Sequence, residues 1–380
     1  MPGPGDLDKS FGSGGKKTIT FGGVDGANAV LVQPNGRIVV AGGGGAGTSM
    51  FCVARLRPNG TLDTTFGPAG KRRVTFGGDQ EAAFGAALQP DGKIVLVGDS
   101  DFRVAVARLN ANGTPDTTFS GDGKRVFKWG SLSRAQAVIV LPNGRLLIAG
   151  FSGPETGNVQ LARLKPDGAL DPTFGVKGIA TVDFGGDDFG LAMARHANGR
   201  IVVAGLSRPT LPGDPDLGAV VTRVRANGEL DPDFAGTGKI NLPGTSNARA
   251  VLIQPDRKIV VAGTADGSQK LTVTRLRTNG TPDPTFDGDG TATVAFPAAL
   301  ATGAVLQPDG KIVVTGSSNG RFAAARLNAN GAPDATFGTP VVEFGVATFA
   351  HAVARQPNGR LVIAGQRTTS DDFALARLLA

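Results

Sequence analysis

Three motifs that recur seven times in a fixed order predict an all-β protein, a seven-bladed β-propeller with four antiparallel strands in each blade. Tight-turn dipeptides separate β-rich runs in every unit, and no unit has a sustained 3.6-residue period. The 58 glycines among 380 residues point the same way, because glycine weakens helix interiors. We therefore expect residues 1–380 to form one propeller domain.

The first motif reads QPNGRIVVAG at its first occurrence and joins a turn to a β-rich run. The second motif, LDTTFG, contributes an aspartate and a phenylalanine, and the third, ARL, contributes an arginine. Copies of the first motif are spaced roughly 50–58 residues apart, which exceeds the WD40 repeat and approaches the kelch repeat. These copies start at Gln33, Gln89, Leu141, His196, Gln254, Gln307 and Gln356.

The second unit illustrates the four strands that each repeat predicts. Phe84–Gln89 is strand A, and the turn Pro90-Asp91-Gly92 leads into strand B at Lys93–Gly98. Strand C covers Arg103–Leu109, and strand D covers Lys124–Lys128. Asn-Gly and Asp-Gly pairs between such runs are strong hairpin signals.

The two chain ends favour a closed ring over an open solenoid. The chain begins with a D-type strand at residues 16–21 and ends with a C-type strand at Phe373–Leu378. Residues 16–21 should therefore complete the last blade, which removes two exposed sheet edges. The predicted blades span approximately residues 27–76, 83–128, 135–184, 190–242, 248–296, 301–344, and 350–378 together with 16–21.

The motif order QPDGKIVVAG, ARL, NG-x-LDxTFG resembles the bacterial delta-60 repeat family over essentially the whole chain. Such repeats occur in large secreted or surface-associated proteins, mostly of unassigned activity. The resemblance implies a β-propeller-like fold and an extracellular or cell-envelope location, and it brings no catalytic residues. The start of the chain lacks a signal-peptide pattern, which would fit a mature segment.

Residues that repeat in every blade are expected to hold the blades together. An arginine fork can bind a carboxylate bidentately, so each repeated arginine should contact the aspartate that follows it seven or eight residues later. The repeated phenylalanine should pack as a wedge between blades. The arginines are Arg55, Arg108, Arg163, Arg223, Arg275, Arg326 and Arg377. The aspartates are Asp8, Asp63, Asp116, Asp171, Asp231, Asp283 and Asp334.

A binding site should lie where the repeat varies, because variation on a rigid scaffold is typical of binding loops. The D–A and B–C connections share one face and vary strongly. At the start of strand A, one position differs in every blade and should form a ring of unlike side chains around one tunnel opening: Asn28, Phe84, Gln136, Leu191, Arg249, Thr302 and His351. Candidate ligand-binding residues are Asn28, Gln136, Arg249, Thr302, His351, Arg208, Asp187 and Asp188.

Two functions fit these residues. The favoured one is a non-catalytic binding or scaffold module that contacts its ligand through the variable face. The alternative is a carbohydrate-active hydrolase or lyase that uses two tunnel-mouth carboxylates, or His351 as a base. The candidate acids are Asp25, Asp79, Glu81, Glu155, Asp187, Asp188, Asp371 and Asp372, and the sequence singles out no pair.

Composition narrows the partners. The net charge of +7 favours an anionic ligand, either a protein or a polysaccharide. Nucleic acid is disfavoured because the basic residues are scattered and no aromatic series accompanies them.

One cysteine and two histidines argue against Cys₄ or three-His metal centres, and no cofactor is expected. Asp287-Gly288-Asp289-Gly290 resembles a short calcium loop, so bound calcium stays an alternative, but a turn is favoured because two carboxylates are few for an ion that takes six to eight oxygens. We expect a monomer, and no apolar run is long enough to span a membrane.

Overall fold

The computed structural model describes residues 2–153, 157–210, 216–265, 267, 270–295, 299–368 and 372–380. Within these residues, 28 strands form seven four-stranded antiparallel sheets, which confirms the seven-bladed propeller. The inner strand of each blade contacts the inner strands of both neighbouring blades, and the seventh contacts the first. The described residues contain no helix long and apolar enough to cross a membrane.

The first four blades follow the chain in order. Blade 1 comprises β2 (Gly26–Val32), β3 (Ile38–Gly44), β4 (Met50–Leu56) and β5 (Lys71–Val74), with a short 3₁₀ turn at Pro68–Gly70. Blade 2 comprises β6 (Glu81–Leu88), β7 (Ile94–Ser100), β8 (Arg103–Leu109) and β9 (Lys124–Phe127). Blade 3 comprises β10 (Leu132–Val140), β11 (Leu146–Gly153), β12 (Asn158–Leu164) and β13 (Ile179–Val182). Blade 4 comprises β14 (Asp187–Arg195), β15 (Ile201–Arg208), β16 (Gly218–Val224) and β17 (Lys239–Leu242).

The remaining blades continue the same order until the last one, which borrows β1 from the N-terminus. Blade 5 comprises β18 (Thr245–Ile253), β19 (Ile259–Ala265), β20 (Lys270–Leu276) and β21 (Thr291–Ala295). Blade 6 comprises β22 (Ala299–Leu306), β23 (Ile312–Ser318), β24 (Arg321–Leu327) and β25 (Val341–Val342). Blade 7 comprises β26 (Thr348–Arg355), β27 (Leu361–Arg367), β28 (Phe373–Leu378) and β1 (Lys16–Ile19).

The ring closes by strand pairing between the two ends of the chain. β1 pairs antiparallel with β28, from Lys16 opposite Ala376 to Ile19 opposite Phe373. A second contact joins the segment before β1 to β28, where the Asp8 amide donates to the Arg377 carbonyl at 2.9 Å. The edge of β28 is thereby covered, as the sequence predicted.

Each blade carries the same buried group of arginine, aspartate and phenylalanine. In six blades the arginine Nε donates to the aspartate Oδ2 at 2.6–2.8 Å. In blade 7, Arg377 Nη2 lies 2.9 Å from Asp8 Oδ2. The guanidinium of every one of these arginines lies 4.7–5.0 Å from the centroid of the repeated phenylalanine ring. The group therefore combines an ion pair with a cation–π contact in the core.

The same arginines also connect neighbouring blades. Arg108 Nη1 donates to the Pro166 carbonyl of blade 3 at 2.6 Å. Arg377 makes the equivalent contact to the Pro58 carbonyl, which joins blade 7 to blade 1. The phenylalanine ring packs against the next Asn-Gly turn, since a Cβ on Gly113 would lie 2.9 Å from the Phe66 ring. Arginine and phenylalanine thus act between blades as well as within them.

Hydrogen bonds keep these aspartates ionised. Burial alone would raise the pKa of Asp116, but hydrogen bonds from Thr118 and Arg108 lower that pKa to about 2. The same balance, with Thr173 and Arg163 as donors, lowers the pKa of Asp171 to about 2. Because each folded-state pKa is below the ordinary value of 3.8, the pairs stabilise the fold above that pH. That stability is lost as pH falls toward 2.

Deleting residues 1–22 should lower the melting temperature sharply, because it removes β1, exposes the edge of β28 and leaves Arg377 without Asp8. Deleting only residues 1–4 is the control, since the Gly5 amide keeps its hydrogen bond to the Leu379 carbonyl. Differential scanning calorimetry of the two truncations measures the difference. Equal melting temperatures for the two truncations would contradict closure by β1.

Arg108→Ala should lower the free energy of unfolding by about 3–5 kcal/mol, because it leaves the buried Asp116 carboxylate without its main ion-pair partner. Lys93→Ala is the matched control. Its ammonium contacts the same Asp116 oxygen at 3.3 Å from a more exposed position, so its loss should cost less than about 1 kcal/mol. Urea denaturation of both variants measures the two losses, and similar losses would show that the buried arginine has no special role.

Candidate functional site

The inner strand of every blade contains a β-bulge at the same place. In β2 the pairing register with β3 shifts between Ala27 and Ala29, so that Asn28 is the extra residue. Bulges of this kind bend the strand and redirect a side chain. β18 has one further shift, which skips Ser246. At the position that all seven blades share, the skipped residues are Asn28, Phe84, Gln136, Leu191, Arg249, Thr302 and His351. They are the seven residues that the sequence marked as variable.

The last glycine of the first motif makes room for this bulge. An ideal Cβ on Gly42 would lie 1.8 Å from the Gly26 carbonyl oxygen, two residues before the bulged Asn28. In blade 4, a Cβ on Gly205 would lie 1.7 Å from the Phe189 carbonyl oxygen. The same position in the other blades leaves 1.8–2.0 Å. No side chain fits there, so the repeated glycine is a requirement of the bulge.

All seven bulged residues line one cavity of about 490 Å³ at the D–A end of the axis. Its remaining lining residues come from blades 3 and 4: Arg134, Phe151, Phe189, Leu206 and Arg208. The volume falls within the usual range of about 300–1,000 Å³ for ligand pockets. The geometry agrees with the predicted ring of unlike side chains, and the binding role of these residues stays a prediction.

The cavity carries cationic side chains that its own lining does not neutralise. Of the described residues that line it, none is Asp or Glu. Arg134 lies 3.3 Å from Asp99 and stacks 4.8 Å from the Phe84 ring. Arg208 and Arg249 have no ion-pair partner in the described part of the chain. An anionic group could therefore compensate these two charges.

The surroundings of the cavity lower the pKa of both Arg249 and His351. The Arg249 side chain is accessible from the cavity, but protein atoms surround it on its other sides. The resulting desolvation lowers the pKa of Arg249, and the nearby charge of Arg208 lowers it further. Desolvation, and then the nearby Arg249, lowers the pKa of His351 to about 4. His351 is consequently neutral at pH 7 and can offer one donor and one acceptor.

Two other ring members have assigned contacts. Asn28 Nδ2 donates to the Ala83 carbonyl of blade 2 at 2.8 Å, and Thr302 Oγ1 donates to the Thr315 carbonyl at 3.4 Å. Gln136 lines the cavity without a described hydrogen bond from its amide. Asn28 and Thr302 thus already have hydrogen-bond partners within the protein, whereas the Gln136 amide is available to a ligand.

Asp187 and Asp188 do not line the axial cavity, and their role in ligand binding on the variable face stays a prediction. Asp188 is fully buried and accepts a hydrogen bond from the Phe184 amide at 2.6 Å. Asp187 Oδ1 accepts from the Gly157 amide at 2.9 Å. The turn between strands D and A contains buried backbone amides that require hydrogen-bond acceptors. In blade 4, the Asp188 carboxylate is the acceptor for the Phe184 amide.

Other candidate acids have the same structural role or lie elsewhere. Glu81 accepts hydrogen bonds from the Phe76 and Gly78 amides, and Asp25 accepts from the Phe21 and Gly45 amides. Asp372 lies 3.7 Å from Arg367. The Asp79 amide donates to Asp101 at the surface. Glu155 and Asp371 lie outside the described residues.

Sequence reasoning missed Arg134 and Phe189 because it began strand A too late, and it also missed Phe151 and Leu206 on the second strands β11 and β15. It placed the start of strand A in blade 2 at Phe84, the bulged residue, whereas β6 begins at Glu81. The bulge breaks the two-residue alternation that marks a strand, so the residues before it look like a loop. A second variable position two residues before the bulge is the signal that could have revealed Arg134 and Phe189.

Comparisons with known proteins agree with this fold. A family model described as "Domain of unknown function (DUF5122) beta-propeller" matches residues 33–66, 89–119, 141–174, 254–286, 307–337 and 356–380. Six of the seven repeats are therefore similar to the repeats of this β-propeller family. The copy that starts at His196 lies outside the six matches. No curated protein matches the chain.

Solved structures with similar folds have little sequence in common with the chain. The WD40 β-propeller domain of Doa1 has a TM-score of 0.59 at 9% identity and covers 95% of each chain. Catalytically inactive virginiamycin B lyase from Staphylococcus aureus with quinupristin has a TM-score of 0.59 at 9% identity, covering 96% of this chain and 99% of its own. YCF48 bound to D1 peptide has a TM-score of 0.54 at 12% identity, covering 100% and 98%. At these identities the similarity shows the fold alone.

Gly42→Ala should destabilise the protein, because the new Cβ collides with the Gly26 carbonyl oxygen and the backbone of the bulge must move. We expect a loss of about 1–3 kcal/mol in the free energy of unfolding, measured by urea denaturation. Gly26→Ala in the same blade is the control. Its Cβ would meet only the flexible end of Gln366 at 3.3 Å, so it should be tolerated. A tolerated Gly42→Ala would show that the bulge does not depend on this glycine.

Proposed function

We propose that the protein is a non-catalytic binding module that captures a carboxylate-bearing peptide segment of a partner protein in the axial cavity. The observation that carries this proposal is the pair Arg208 and Arg249, which face one cavity and have no described ion-pair partner. Charge-assisted hydrogen bonds between a guanidinium and a carboxylate are among the strongest polar contacts available to a ligand.

Apolar surface at the same opening favours a peptide over a polysaccharide. Leu300 and Phe349 are 50% and 40% exposed, and each lies two residues before a bulged ring residue. On the other side of the ring, Phe189 occupies the equivalent position and lines the cavity. A cationic cavity with exposed apolar side chains beside it suits a segment that alternates acidic and apolar side chains. YCF48, a propeller with a similar fold, is bound to a peptide, which supports the choice by analogy alone.

The charges of the cavity argue against the hydrolase or lyase alternative. A glycoside hydrolase needs two carboxyl groups beside the scissile bond, and the described lining contains none. A histidine base works best with a pKa near the working pH, whereas burial and Arg249 hold the pKa of His351 at about 4. These groups suit recognition of an anion better than proton abstraction at neutral pH.

The location proposed for this module is the outside of a bacterial cell or its envelope, as part of a secreted or surface protein. This part of the proposal rests on the resemblance to delta-60 repeats. Fractionation of cells that carry the natural gene, followed by antibody detection, tests it. Detection in the cytoplasmic fraction alone would contradict this location without bearing on the binding site.

Binding is tested by fluorescence anisotropy with labelled hexapeptides that alternate Glu and Phe. We expect them to bind more tightly than matched peptides in which Gln replaces Glu, because only the carboxylates can pair with Arg208 and Arg249. The double variant Arg208→Gln/Arg249→Gln should weaken binding of the Glu peptide by about tenfold or more. Arg57→Gln is a control for each single Arg→Gln change, since it removes one positive charge from an exposed residue on the opposite face.

Equal affinity for the Glu and Gln peptides would contradict the proposal, as would unchanged binding by the double variant. An oligogalacturonate probe of similar charge separates the two ligand classes. If it bound more tightly than the peptide and lost affinity in the double variant, the cavity would be a polysaccharide site. Circular dichroism of each variant checks that the fold is intact.

A further inference from the structure

A second cationic pocket lies at the seam between blades 4 and 5, on the face opposite the axial cavity. Its volume is about 220 Å³. The A–B turns of both blades, strand β16 and the C–D turn of blade 5 form it. Its lining includes four basic side chains, His196, Arg200, Arg223 and Arg257, together with Thr278, Asn279 and one carboxylate, Asp233, which is paired with Arg200.

Two departures from the repeat meet in this pocket. His196 stands where five other copies have glutamine and one has leucine. Arg257 stands in the A–B turn of blade 5 where the other six copies have glycine. Arg257 adopts a φ of 68°, in the left-handed region that glycine enters freely and other residues rarely adopt. A strained arginine kept at a glycine position favours a functional role over a structural one.

The neighbouring arginines show that the pocket holds an excess of positive charge. Arg223 pairs with Asp231 at 2.7 Å and donates to the Thr278 carbonyl. Arg200 contacts Asp231 at 2.6 Å and Asp233 at 2.5 Å. Arg257 has no ion-pair partner in the described part of the chain. Three guanidinium groups therefore face two carboxylates.

His196 supplies an independent indication of a ligand. It is 3% exposed, and its Nε2 has no hydrogen-bond partner among the described residues. Burial, with Arg223, Arg200 and Arg257 nearby, lowers its pKa to about 4. In blade 6, Gln307 Oε1 at the equivalent position accepts from the repeated Arg326 at 3.5 Å. At the equivalent position Gln33, Gln89 and Gln254 also have a buried Oε1 without a described partner, so blade 4 differs by its imidazole, which lines the pocket.

We propose that this seam binds a small oxyanion, a phosphate or sulfate group that is either free or carried by a larger ligand. Arg257 and Arg200 supply charge to its oxygens, and His196 Nε2 and the Asn279 amide lie within the same lining to supply hydrogen bonds. The pocket is small enough to select a tetrahedral anion over an extended chain. This site is independent of the axial cavity and of the peptide-binding proposal.

The two histidines of the chain make a direct test possible, because His196 reports on the seam and His351 reports on the axial cavity. Imidazole NMR signals are followed while inorganic phosphate replaces chloride at constant ionic strength. We expect saturable shifts of the His196 signals, and a higher melting temperature in phosphate than in chloride. Sulfate is the second probe, and a phosphoserine hexapeptide distinguishes a carried phosphate from a free one.

Arg257→Gly restores the residue found in the other six copies, so the variant should fold, and it should lose both the His196 shift and the stabilisation by phosphate. His196→Gln, a second return to the repeat, should also lose the stabilisation. Arg57→Gln should behave like the unmodified protein. Phosphate that leaves the His196 signals unchanged would overturn the proposal. Equal shifts in Arg257→Gly would also overturn it. A shift of His351 alone would place the anion in the axial cavity and overturn the seam site without contradicting the proposed function.

Discussion

The guanidinium on the third strand of each blade is the side chain that links an ion pair, an aromatic ring and, at most seams, the backbone of the next blade. In blade 2, one Arg108 side chain pairs with Asp116, covers the Phe119 ring and donates to the Pro166 carbonyl of the next blade. Each repeated aspartate is also held by local donors, as Thr118 holds Asp116. Because the group is buried, removal of one member leaves a charge without its partner. The repeat therefore changes little at these positions, and the spacing between blades is fixed by it.

Ring closure depends on the same group. Blade 7 takes its aspartate from the N-terminal segment, so Arg377 pairs with Asp8 across almost the whole length of the chain. Arg377 also donates to the Pro58 carbonyl of blade 1, as the equivalent arginines of blades 1–5 donate to a carbonyl of the next blade. The pairing of β1 with β28 and this side-chain contact thus reinforce each other. A chain that lacked either would have a blade with an unpaired strand edge or an unpaired buried charge.

The sequence was sufficient to predict the fold because its signals are local and repeated. Turn dipeptides, β-rich runs and the spare N-terminal strand are all visible without tertiary information, and the β1–β28 pairing follows from them. The candidate site was only partly predictable. The position of Arg249 and His351 in one ring could be inferred from variation between copies. The roles of Arg134 and Asp188 could not, because one depends on a bulge that disrupts the alternation and the other on turn amides that need an acceptor.

Departures from the repeat have different meanings at different positions. At the bulge, every blade has the same register shift, and the glycine on the neighbouring strand leaves room for a backbone carbonyl of the bulged strand. The same position therefore holds Asn28 in blade 1, Arg249 in blade 5 and His351 in blade 7 without a change in the backbone. Side-chain variation at the bulge therefore costs the fold little stability. Only the charge and shape of the combined cavity lining suggest a ligand. The A–B turn is different, because Arg257 occupies a left-handed conformation that glycine occupies elsewhere. A residue in a costly backbone conformation, beside a buried histidine in a cationic pocket, is therefore a stronger indication of a binding site than variation at the bulge.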